Sequence, residues 1–118
     1  MSKDTDTIDR VAFEMYGIAK DHGFHLGETI GDVNDERMAV YVANLHGEVS
    51  ELWEATRRGK LWEPCDKPCG LTCEEEELAD IAIRVMDTAV ARGISLGKAI
   101  EAKAAYNRTR PHKHGKRC

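Results

Sequence analysis

Apolar residues recur along this chain at helical rather than alternating spacing. Ile8, Val11, Ala12, Met15 and Ala19 follow i, i+3, i+4, i+7, i+11 and predict an amphipathic helix, with Asp6 or Thr7 as its N-cap and Gly23 as its stop. Residues 24–34, with Gly27, Gly31 and Asn34, read as a loop. Met38, Tyr41, Val42, Leu45, Val49, Leu52 and Thr56 then mark a long second helix up to Gly59. Gly47 lies inside it, which predicts either a close approach by a neighbour or a bend at His46-Gly47. Pro64, Pro68 and Gly70 make the segment from Lys60 to Leu71 an irregular excursion able to border a pocket.

Thr72-Cys73-Glu74-Glu75 has the spacing of a capping box, so a third helix starts there and runs to Gly93. Its apolar residues, from Leu78 through Ile81, Ile83, Val85 and Met86 to Val90, occupy more than one face. Four helices from one chain cannot cover such a helix on all sides, so a partner subunit is expected against it. Ser95 can cap a fourth helix to about Thr109, which Pro111 stops. With no alternating β-branched run and no hairpin signal, the expected fold is all-α: one domain over 1–118, four helices, and a basic tail at 111–118.

Composition narrows the function classes. At 118 residues with 42% hydrophobic and 32% charged, one core burying roughly two-thirds of the unfolded surface is expected, and no apolar run is long enough to span a membrane. The start, Met1-Ser2-Lys3-Asp4, lacks a secretory signature, so the expected location is cytoplasmic. The net charge of −4 hides an asymmetry: residues 98–118 carry seven Lys/Arg against one Glu, leaving about −10 on the rest. An acidic body of this kind suits a small polyphosphate better than nucleic acid, which needs a broad positive face. Cys65, Cys69 and Cys73 in one cluster with Cys118 at the end fit poorly to the two-group spacing of structural zinc, so reduced thiols in and beside a loop are expected.

Chemistry concentrates in two acidic pairs. Glu48 and Glu51 are i, i+3 on the second helix, and Glu77 and Asp80 are i, i+3 on the third. Antiparallel packing of the two helices brings the pairs face to face, and four carboxylates in one place require protons or cations. All-oxygen ligation suits Mg²⁺, with Mn²⁺ as a substitute, rather than zinc. Glu48 borders the stripe of Leu45, Val49 and Leu52, and Asp80 lies among apolar residues, so both are expected to be partly buried and in need of partners. Asp80, Arg84 and Asp87 share a stripe that could orient these ligands, or hold a simple ion pair. His22 and His46 are expected to be core or capping residues.

The segments LHGEVSELWEATRRG, EEELADIAIRVMD and AIEAKAAYNRTRPHKHGK resemble the MazG-type, all-α nucleoside triphosphate pyrophosphohydrolase superfamily over nearly the whole chain. Its pattern, E-x-x-E, a spacer, then E-x-x-D, is met by Glu48, Glu51, Glu77 and Asp80 with 25 residues between Glu51 and Glu77. The resemblance implies a four-helix unit in a homodimer or homotetramer and Mg²⁺-dependent attack of water between the α- and β-phosphates, giving a nucleoside monophosphate and pyrophosphate. It also implies phosphate or base binding by Lys103, Asn107 and Arg110, which share a face of the fourth helix. Lys113 would close over the phosphates, and Trp53, or Trp62 in the loop, could stack on the base. Phosphoribosyl-ATP is an alternative substrate, and a non-catalytic helical module binding a metal or a basic partner is the alternative class. The three-cysteine loop and the His-Lys-His tail are not part of the family pattern.

Overall fold

A computed structural model describes residues 2–115. Among these the chain is all-α, with four helices in the order α1 (Lys3–Asp21), α2 (Asp35–Arg57), α3 (Cys73–Ala91) and α4 (Leu96–Arg108), followed by a 3₁₀ turn at His112–Gly115. No helix is long and apolar enough to cross a membrane.

Each α-helix starts on a side-chain cap. Asn34 accepts from the Arg37 amide, Thr72 and Glu75 form the expected capping box, and Ser95 accepts from the Lys98 amide. The first helix departs from expectation. Its N-cap is Ser2, which accepts from the Thr5 amide, so the helix begins a turn before Asp6 and Thr7. Asp4 and Asp6 then lie in the first turn, where their charge suits the positive end of the helix dipole. Gly23, Gly59 and Gly93 follow the ends of α1, α2 and α3 with positive φ, the conformation that glycine adopts without strain.

The helices form an open array. α3 packs against both α1 and α2, while α4 packs against α1 and shares no comparable packing with α2 or α3. The buried cluster is small: Ala12 and Tyr16 of α1, Val33 of the loop, and Val90 and Ala91 of α3, with Tyr41 and Met86 packed on it. The loop is fastened to the end of α3, where the amides of Gly31 and Val33 donate to the Ala91 carbonyl and Arg92 donates to the Val33 carbonyl at 2.7 Å.

Asp9 and Gly97 join α1 to α4. The Asp9 carboxylate accepts from the Ser95 hydroxyl at 2.6 Å and the Gly97 amide at 2.8 Å, and these bonds hold its pKa below the usual value. A Cβ on Gly97 would stand 2.5 Å from the Thr5 carbonyl oxygen and 2.9 Å from its Cα. Because these are backbone atoms, they cannot rotate away. Gly97→Ala is therefore expected to cost about 1–3 kcal/mol, as other overpacking substitutions do, read as a lower urea midpoint.

Gly47 behaves differently: a Cβ there would meet nothing within 4 Å, so of the two alternatives read at this position the close approach is not made by any described residue.

Candidate metal centre

The register across α2 and α3 runs in opposite directions. Glu51 lies near Glu77, while Glu48 lies near Asp80 and accepts from Arg84 at 3.3 Å, so the helices are antiparallel as the paired i, i+3 spacing requires. One carboxylate oxygen each from Glu48, Glu51 and Glu77 lie within 4.8 Å of one another, and the same holds for Glu76, Glu77 and Asp80. Glu77 belongs to both groups and joins them. All four carboxylates expected from sequence are thus brought together, and Glu76 is added.

Glu76 was not expected because its place in the run Glu74–Glu77 suggests a solvated helix start. In the fold it is buried, and it pairs with Lys67 from the excursion between α2 and α3. That excursion folds back on itself: the Cys65 amide donates to the Leu71 carbonyl and the Cys73 amide to the Glu63 carbonyl. It carries Lys67 onto the acidic cluster, and the pairing raises the Lys67 pKa, with the Glu76 bond as the main cause.

The electrostatics show a cluster short of positive charge. Burial, reinforced by the charge of Glu51, pushes Glu77 up to about 7. Burial also raises Asp80, with Glu48 and Glu76 adding to it and Lys67 and Arg84 opposing it. One oxygen of Glu77, Oε2, is buried without a hydrogen-bond partner. A buried carboxylate oxygen with no donor, surrounded by other carboxylates, is what a hard divalent cation would satisfy. The donor set is all carboxylate oxygen, the kind a hard divalent cation such as Mg²⁺ takes, and Glu48, Glu51, Glu77 and Asp80, with Glu76 beside them, are the residues that would hold one.

A cavity of about 440 Å³ opens next to Glu48 and Asp80. Met15, Ile18, Ala19, His22 and Phe24 from α1 and the loop line it, with Ile83, Arg84 and Asp87 from α3, and the excursion does not contribute. Arg84 lies over the Phe24 ring at 5.8 Å. The expected Asp80-Arg84-Asp87 stripe is divided: Arg84 turns to Glu48, and Asp87 turns to His25.

His25 is the residue least foreseen from sequence. It is buried with positive φ, its ring stacked on Tyr16 at 4.3 Å between centroids and on Tyr41 at 5.8 Å. Its Nε2 meets Asp87 at 2.5 Å, and its Nδ1 meets Glu28 at 2.8 Å and the Tyr41 hydroxyl at 2.7 Å. Burial raises Asp87, although the bond to His25 opposes the rise. Burial also acts against ionisation of Glu28, but bonds from Tyr41, His25 and Arg37 outweigh it and lower its pKa. This network fixes the loop against α2 and α3 and forms one wall of the cavity through Asp87. His22 is the C-cap of α1, with Nδ1 2.8 Å from the Ile18 carbonyl, and His46 is exposed on α2.

The expected substrate residues lie elsewhere. Lys103 and Arg110 both stand over the Tyr106 ring, at 4.8 and 5.4 Å, and Asn107 has a buried Oδ1 without a partner. All are on or just beyond α4, away from the α2–α3 seam. Lys113 is exposed with positive φ, Trp53 is 62% exposed and Trp62 is 85% exposed. Cys118 lies outside the described residues.

No protein-family model, curated protein or solved structure matches the chain.

Proposed function

We propose that the chain is a Mg²⁺-dependent nucleoside triphosphate pyrophosphohydrolase of the MazG-like kind. The observation that carries this reading is the convergence of Glu48, Glu51 and Glu77 from two antiparallel helices, with Asp80 joined to them through Glu77, one oxygen of which is buried without a donor. Mg²⁺ held there would neutralise charge on the triphosphate and lower the pKa of an attacking water. Water adds at the α-phosphorus, the bond to the bridging oxygen breaks, and pyrophosphate leaves. The carboxylates accept the proton that the water gives up. Arg84, bonded to Glu48, keeps that carboxylate turned toward the cluster.

The base and sugar enter the cavity beside Glu48 and Asp80, where Phe24, Ile18 and Ile83 offer an apolar surface and Asp87 a polar edge. Phe24→Ala is expected to raise KM about 5- to 150-fold with little change in kcat, since Phe24 contacts no reacting atom; the stacking of a base on an aromatic ring contributes about 1–3 kcal/mol. Steady-state kinetics at saturating Mg²⁺ would separate the two constants, and a fall in kcat alone would remove Phe24 from the base site.

We further propose that the working unit is a homodimer or homotetramer. α2 has no buried residue, and Val42, Val49 and Trp53 of α2 are exposed together with Leu78 of α3. The radius of gyration is 16.4 Å, against about 13.5 Å for a compact chain of this length. An open chain with an uncovered apolar face on its central helices is half of an interface.

The decisive experiment is pyrophosphate release from ribo- and deoxyribonucleoside triphosphates, with Mg²⁺ and with chelator. Release only with metal supports the reading and identifies the base. Silence from a folded, Mg²⁺-stabilised protein would overturn it in favour of a metal-binding module without turnover.

A further inference from the structure

The excursion between α2 and α3 carries a second reactive group that the metal reading does not use. Cys65 and Cys69 are free thiols on this short loop with their Sγ atoms 3.0 Å apart, inside the van der Waals contact of two sulfurs. Cys73 is placed apart from them, with its Sγ facing the Pro64 carbonyl oxygen at 3.8 Å, and no group of three metal-binding side chains among the described residues includes a cysteine. The arrangement is therefore a pair rather than a soft-metal site. Cys69 is exposed, so an oxidant can reach it, and Cys65 is half-buried.

The pair is coupled to the acidic cluster by its neighbours. The Cys65 thiol faces the Lys67 carbonyl oxygen at 3.3 Å, and Lys67, between the two cysteines, reaches Glu76. We propose that Cys65 and Cys69 are a reversible dithiol–disulfide pair, a redox clasp on the loop that holds Lys67 against Glu76. The co-reactant is a low-molecular-weight disulfide. The Cys69 thiolate attacks one of its sulfurs and releases one thiol. Cys65 then attacks the mixed disulfide as a thiolate, forming the Cys65–Cys69 bond and releasing the second thiol. Two protein thiols are oxidised, one small disulfide is reduced to two thiols, and two protons pass from the cysteines to the released thiolates. Closing the bond brings the sulfurs to about 2.05 Å, which moves the ends of the loop and with them the position of Lys67 over Glu76. The second half of the proposal rests on the metal reading, because Glu76 acts on a cation only if the cluster binds one.

The test uses the folded chain with Cys73→Ser and Cys118→Ser, so that only the pair can react. After excess oxidised glutathione, the intact mass is expected to fall by two hydrogens, to retain no glutathione, and to return with dithiothreitol. Adding Cys69→Ser should abolish that loss. Retained glutathione, or thiols that stay free in the folded protein while the urea-unfolded chain reacts, would overturn the pair. Apparent Mg²⁺ affinity, read from the shift in Tm with metal concentration, is expected to differ about fivefold between the two redox states, the lower end of coupling between separate sites. The difference should vanish in Lys67→Gln. Equal affinities, or a difference that survives Lys67→Gln, would overturn the clasp. No Mg²⁺ effect in either state would overturn both the metal reading and the clasp, while the mass still decides the disulfide.

Discussion

Glu77→Gln is expected to lower Mg²⁺-dependent pyrophosphate release about 10²–10³-fold, the scale of losing one preorganised electrostatic group, while making the metal-free protein more stable. The two effects have one cause. Glu77 belongs to both carboxylate groups, and burial with the charge of Glu51 pushes it up to about 7 in the fold, above its ordinary value near 4.5. Its folded form therefore binds more protons than its unfolded form between those values, and the strain of its charge is fully present above about pH 7 and relieved as pH falls toward 4.5. Glutamine keeps the shape and removes the charge. The variant should exceed the metal-free wild type by about 3 kcal/mol above pH 7 and lose that advantage near pH 4.5. Added Mg²⁺ should reverse the ranking at about a thousand times its Kd, where a cation stabilises the wild type by about 4.1 kcal/mol and has one ligand fewer in the variant. Urea denaturation at pH 5 and 8, with and without Mg²⁺, would check all three. A Glu77→Gln protein that is less stable without metal, and equally stabilised by Mg²⁺, would show that the cluster is not a cation site.

Helix positions were legible in the sequence because apolar spacing and local caps act over a few residues. Thr72 and Ser95 cap α3 and α4 as read, Asn34 caps α2 although it was read only as a loop residue, and the i, i+3 carboxylates converge because an antiparallel turn between consecutive helices allows it. Contacts that join distant segments were not legible. Glu76 is buried, and its partner is Lys67, nine residues away, which the excursion folds onto it. His25 meets Asp87 across 62 positions, and no local pattern announces that a histidine beside two glycines will be the centre of a buried network. Arg84 was read either as orienting the acidic pairs or as holding an ion pair on its own helix, and the partner that the structure gives it is Glu48 of α2. The start of α1 was missed for a similar reason: Ser2 and Thr5 are held partly by Glu101 of α4, a contact that spacing cannot supply.

The separation of the basic stripe from the acidic cluster leads to the second large effect. Glu51→Gln, which would disable the proposed metal centre, and the double variant Lys103→Ala with Arg110→Ala, which would disable the proposed phosphate stripe, are each expected to be nearly inactive alone, yet to regain about a quarter of wild-type activity when refolded together. α4 packs on α1 and the carboxylates lie between α2 and α3, so within one chain the stripe and the cluster belong to different sides of the array. If a substrate phosphate must touch both, the stripe comes from a second copy. In a two-fold pair each site then takes carboxylates from one chain and cations from the other. Random mixing makes half of the dimers mixed, and each mixed dimer has one site with both variants and one with neither, which gives about one-quarter of full activity. A mixture no more active than its components would mean that α4 does not complete the site across the interface. The exposed face of Val42, Val49 and Trp53 would then require another occupant.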